Sequence, residues 1–218
     1  MSTRLLAAVA GTLIATHALA GVISDASFFD SIPSTLIDFE TDGAGSPLTL
    51  VDGQISLMPG AEYAALGVTF SPNIYWVNDQ SSVFDTAQSL GGSLDHAIPS
   101  SQVNAFTMSF NVPVRSFGFW VVSNTAFADP VFVARDASNN ILETVTFTGG
   151  LVDGVVTSAN VTAAYGFMGA YSATPIASVT ITKGAALFDD LRFSSTVPAP
   201  GVIPAGLLVL TIAQRRRR

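Results

Sequence analysis

Between Phe106 and Phe110 the chain reads Phe-Thr-Met-Ser-Phe, apolar at every second position. Only an extended strand puts residues i, i+2 and i+4 on one side. This stretch can therefore bury Phe106, Met108 and Phe110 while Thr107 and Ser109 face the other way. The same period of two recurs downstream. After Pro113 it places Phe117, Phe119 and Val121 on one face. Val131 to Arg135 and Ile141 to Phe147 read as the arms of a hairpin, with Asp136 to Asn140 as its turn. The stretch carrying Ile176, Val179 and Ile181, the turn Lys183-Gly184, and Ala186 to Phe193 read as a second hairpin. Earlier strands are expected at Thr35 to Phe39, Leu48 to Val51, Val68 to Ser71 and Ile74 to Val77, and the longest loop at Asn78 to Ser101. No stretch between Gly21 and Ser195 has a convincing helical period. Many short strands broken by Gly, Pro, Asn and Asp favour an all-β fold, an antiparallel β-sandwich of jelly-roll type, over βαβ units. With 49% hydrophobic residues and 15 Phe, the chain can fill one large core.

Two segments flank this domain. Residues 1–20 begin with a positive charge at Arg4, continue through an apolar run from Leu5 to Ala15, and end with small residues at Ala18 and Ala20. That order is expected of a secretory signal helix, cut after Ala20. Residues 196–218 form the other segment. Gly201 to Ala213 is apolar and would reach roughly 20 Å as a helix, short of the ~30 Å hydrocarbon core. Pro204 interrupts its first turn. Arg215, Arg216, Arg217 and Arg218 then close the chain and would lie on the cytoplasmic side of a membrane. A C-terminal core helix would leave those four arginines unexplained. The segment suits a transient hold in the inner membrane rather than a permanent span.

Composition excludes several chemistries. There is no cysteine, so there is no disulfide, thiolate metal site or cysteine nucleophile. Within the domain Arg115, Arg135, Lys183 and Arg192 stand against 16 acidic residues, a balance that repels nucleic acid and anionic lipid. His17 leaves with the signal, so His96 is the single histidine of the mature domain, in a polar loop that lacks the G-x-S-x-G nucleophile elbow. No glycine-rich phosphate loop occurs. These features lead us to expect a protein that is not an enzyme. A glycoside hydrolase or other hydrolase stays open, because the separation of two carboxylates is a three-dimensional quantity.

The C-terminal order of Val197-Pro198-Ala199-Pro200, apolar segment and arginine cluster resembles the PEP-CTERM sorting signal, with Ala199 where the usual motif has Glu, as in a variant form. The resemblance implies export by the Sec machinery and signal peptidase, then cleavage by a membrane-embedded exosortase. The mature protein would act at the cell surface or in the extracellular matrix, in association with exopolysaccharide and biofilm. The strand segments from Leu36 to Phe193 are similar in order to exported domains carrying that signal, which look like jelly-roll relatives of carbohydrate-binding modules.

That likeness implies two candidate sites. In such jelly rolls the first and last strands adjoin, so Glu40 and Asp189, with Asp38 and Asp190 in reserve, are candidate ligands for a structural calcium. The alternative is that these acids cap turns, or that Arg192 pairs with one of them. Tyr75 and Trp76, beside Asn78 and Asp79, are a candidate stacking and hydrogen-bonding set for a matrix polysaccharide, and Tyr165, Phe167 and Tyr171 a second aromatic set. An aromatic residue in a strand also fits the core.

Overall fold

The structure is a computed structural model and describes residues 20–78, 96–98, 104–158 and 161–197. These residues form antiparallel β-sheet interrupted by three short 3-10 turns. The twelve strands are β1 (Ala20–Ile23), β2 (Thr35–Ile37), β3 (Ile55–Met58), β4 (Val68–Ser71), β5 (Ile74–Asn78), β6 (His96–Ala97), β7 (Ala105–Asn124), β8 (Val131–Arg135), β9 (Ile141–Thr146), β10 (Gly154–Ser158), β11 (Val161–Thr182) and β12 (Ala186–Ser194).

Two long strands organise the rest. The first part of β7 pairs with β4 and with residues 178–182 of β11, and β11 there pairs also with β8, which carries β9. The second part of β7 pairs with residues 163–171 of β11 and with β12, which carries β2. The outer edge of β11 in this layer carries β10 and β1. The ladder between the two long strands shifts register between Tyr171 and Ser178, opposite Val114. Each therefore runs up one layer, turns, and returns in the other. We refer to the end where they turn as the corner end. A smaller sheet, β3-β5-β6, lies alongside.

The layers close on phenylalanines. Phe132 from β8 meets Phe119 and Phe117 of β7 at 5.8 Å, and Phe188 of β12 at 5.5 Å. Phe188 also touches Phe106 and Phe119. A separate apolar cluster covers the outside of the second layer, where Ile23 and Phe29 pack on Phe167. That packing requires Gly118 on the neighbouring strand, since a Cβ there would lie 2.4 Å from the Phe167 ring.

The hairpin of β8 and β9 forms as its sequence predicts. Asp136 Oδ1 accepts from the N–H groups of Ser138 and Asn140, and its Oδ2 from Asn140 Nδ2. The Asn140 side chain and the backbone N–H bonds hold the Asp136 carboxyl below the usual range. Three expectations need correction. The stretch from Leu48 to Val51 is not a strand; Leu48 and Leu50 pack on the core from a loop. Lys183-Gly184 does turn the chain, but β11 and β12 do not pair, so the second hairpin is an arch between layers. Four short strands, β1, β3, β6 and β10, lie where none was expected, β6 within the stretch read as the longest loop, as does the first half of β11. The signal helix and the C-terminal apolar helix lie outside the described residues.

Candidate functional site

The densest meeting of polar side chains lies where β2 runs past β12. Leu191 stands opposite Ile37 in an antiparallel ladder, so the early and late strands do adjoin. Just beyond the ladder both chains kink through left-handed residues, Phe39 with φ 58° and Asp190 with φ 48°. A bulky residue in that region costs roughly 1–3 kcal/mol and must be held by its surroundings. Phe39 is held by complete burial, its ring meeting Tyr63 edge-on at 5.6 Å.

The kink delivers Glu40 to His96. Glu40 Oε1 accepts from the His96 backbone N–H at 2.8 Å, and Oε2 from His96 Nδ1–H at 2.6 Å. The strand that holds His96 is pinned at both sides: Asn78 pairs with His96 on β5, and Ile98 exchanges backbone hydrogen bonds with Phe188 of β12. His96 Nε2 is buried and has no hydrogen-bond partner among the described residues. Among the described residues no hydroxyl is hydrogen-bonded to it.

The candidate calcium ligands sit close along the chain path but in different roles. Both Glu40 oxygens hold His96. Asp38 Oδ1 accepts from the Glu40 N–H, closing a turn. Asp189 and Asp190 are buried, and Asp189 Oδ1 accepts from the Asp190 N–H at 2.7 Å. Arg192 contacts Asp30 at 3.5 Å and none of the four candidates. Among the described residues no group of three or more His, Asp or Glu side chains converges as for a metal. We therefore expect Glu40→Ala to cost about 1–3 kcal/mol through two stranded N–H donors. Thermal melts with and without chelator check this: equal losses assign Glu40 to His96, and a chelator-dependent loss restores the calcium reading.

The aromatic set divides along the pleat of β5. Trp76 is 6% exposed; its Nε1–H donates to Tyr63 Oη at 3.0 Å, and the two rings meet edge-on. Tyr63 Oη in turn donates to the Thr41 carbonyl at 2.6 Å, and burial pushes the Tyr63 hydroxyl pKa up. Trp76 thus offers no face to a sugar. Asn78 is also buried, donating to the Leu50 carbonyl. Tyr75 points the other way, half-buried, in register with the exposed Leu57 of β3. Asp79 lies outside the described residues. Of the second aromatic set, Phe167 is buried beneath Phe29, while Tyr165 and Tyr171 are half-buried, Tyr171 stacked on Phe28.

Of the segment ends, Ala20 starts β1 and Val197 is the last described residue. Ala18, Pro198, Ala199, Pro200 and Arg215 to Arg218 lie outside the described residues. The position of the chain ends is informative all the same. Gly21 pairs with Tyr171, Tyr171 with Ser116, and Ser116 with Ser194. The first and last strands of the domain thus finish in one row at the corner end. Ser194 Oγ donates to the Pro33 carbonyl and Ser116 Oγ to that of Thr196, fixing where the chain leaves.

Neither a protein-family model nor a curated protein matches the sequence. Among solved structures, a variant of a family 29 carbohydrate-binding module, studied for ligand recognition, aligns with 77% of this chain and 99% of that chain, at 11% identity and a TM-score of 0.27. A likeness at that level carries no weight for the fold or for a ligand.

Proposed function

We propose that the chain is an exported, non-catalytic β-sandwich, held briefly in the inner membrane by its C-terminal segment. An exosortase then frees or re-anchors it to act at the cell surface or in the extracellular matrix. The observation that carries this reading is the row Gly21, Tyr171, Ser116 and Ser194. Three strand spacings, roughly 15 Å, separate the start of the domain from its end. Both flanking segments therefore attach at one end, which lets both meet the same membrane. Cutting after Ala20 removes one residue of β1, and cutting beyond Val197 leaves every described strand in place.

The non-catalytic half of the reading rests on the sequence, which has no cysteine, no G-x-S-x-G elbow and one histidine in the mature domain. A link to matrix polysaccharide follows from the resemblance of the C-terminal segment, and Tyr75 is the aromatic residue of β5 left on an outer face to receive a sugar.

Expression in a host that carries an exosortase, followed by mass determination of the mature ends, tests the processing. The expected product starts at Gly21 and lacks Arg215 to Arg218. A mature protein with all four arginines would overturn it.

A further inference from the structure

The corner end has a feature the export reading does not use. A groove of about 430 Å³ opens between the layers there, lined chiefly by Pro33, Thr35, Leu66, Val112, Val114 and Phe193. No residue of its lining carries a charge, in a domain dominated by carboxylates. Two apolar side chains stand at its rim in solvent: Leu66 is 44% and Val112 73% exposed. They are held on fixed backbone, because Asn111 donates through Nδ2 to the Ala64 carbonyl at 2.7 Å and through its N–H to the Gly67 carbonyl at 2.9 Å. Ser195, where the chain leaves the domain, lines the same groove.

We propose that this end of the sandwich is a lipid-contacting face, with Leu66 and Val112 entering the headgroup region of the bilayer while the C-terminal segment is held in it. The inference rests on the sorting role of that segment. Five residues separate Ser195 from Gly201, where the apolar run begins, a reach of at most about 22 Å. The headgroup layer itself takes up roughly 5–8 Å of that. The corner end is thus kept within about 15 Å of the lipid surface, whatever the path of the tether. Charge sets the orientation. The acidic body is repelled by an anionic surface, whereas the uncharged groove is not, so the sandwich presents the groove and its two apolar side chains to the lipid.

The chain has no cysteine, so single-site labelling of the full-length protein tests this directly. Leu66→Cys and Val112→Cys place an environment-sensitive dye at the groove. Phe127→Cys places it in the loop after β7, at the opposite end, where Phe127 is 61% exposed. Each labelled protein is mixed with phosphatidylethanolamine–phosphatidylglycerol vesicles containing headgroup-nitroxide lipid. The expected result is co-flotation of all three, with loss of emission at positions 66 and 112 and none at 127. Absence of flotation would overturn the sorting reading. Flotation without loss at 66 and 112, or with equal loss at all three, would overturn the lipid-face inference alone. A concentration-dependent emission change at 66 and 112 without vesicles would assign the groove to a second copy of the chain and overturn it too.

Discussion

Trp76→Ala is expected to lower stability by about 3–5 kcal/mol, the range for losing a buried Trp or Phe side chain. The ring fills space against Tyr63, and its Nε1–H is one of two hydrogen bonds that settle the Tyr63 hydroxyl. At about 2–4 °C per kcal/mol for a domain of this size, the melting temperature falls by roughly 10 °C. Tyr75→Ala is the paired control: Tyr75 is only half-buried at the edge of the core, and its loss should cost clearly less. A melt of both variants separates the two strand faces. If polysaccharide binding is then measured, loss in Trp76→Ala reports unfolding, whereas loss in Tyr75→Ala reports a contact. A Trp76→Ala protein that melts like the parent would show that Trp76 is not packed as described.

Phe188→Ala should be of similar size, about 3–5 kcal/mol. Phe188 is the ring common to both layers, touching Phe106 at 6.1 Å, Phe119 at 5.7 Å and Phe132 at 5.5 Å. Those neighbours come from β8 and from both halves of β7, on the two sides of the core, so they cannot close on the space without moving both layers. Phe188→Leu keeps most of the volume and should cost less. Denaturant unfolding of the two variants checks the order; equal losses would mean that ring volume is not what Phe188 contributes.

Local alternation made β4, β5, β8, β9 and the inward face of β7 readable, because each rule involved spans a few residues. The same rule does not carry through β12. Alternation groups Leu187, Asp189, Leu191 and Phe193 on one face, yet Phe188 is the core residue before the bulge and Leu191 and Phe193 after it. The extra residue at Asp190 switches the parity, and nothing in "FDDL" announces a left-handed backbone there. Period two also says that Tyr75 and Trp76 face opposite ways without saying which faces in; Tyr63, thirteen residues earlier, decides it. The Lys183-Gly184 turn was legible as a reversal, but whether its arms pair or arch depends on β7, which occupies the place beside each arm. Glu40 and His96 are 56 residues apart, and no local pattern links them. The adjacency of β2 and β12 was anticipated from resemblance rather than from the residues themselves.

On the proposed surface anchorage, the seat of β12 decides how the domain bears load. β12 lies between β2 and β7, and its final residue, Ser194, leads into the tether. Antiparallel ladder bonds lie across the strand direction. Tension arriving along β12 therefore acts on both ladders in shear, loading many bonds at once, instead of peeling them one by one. The opposite terminal strand, β1, has only β11 beside it among the described residues. Flow or drag on an anchored molecule would be borne by its more firmly held end, and the N-terminal strand would be the part to fray.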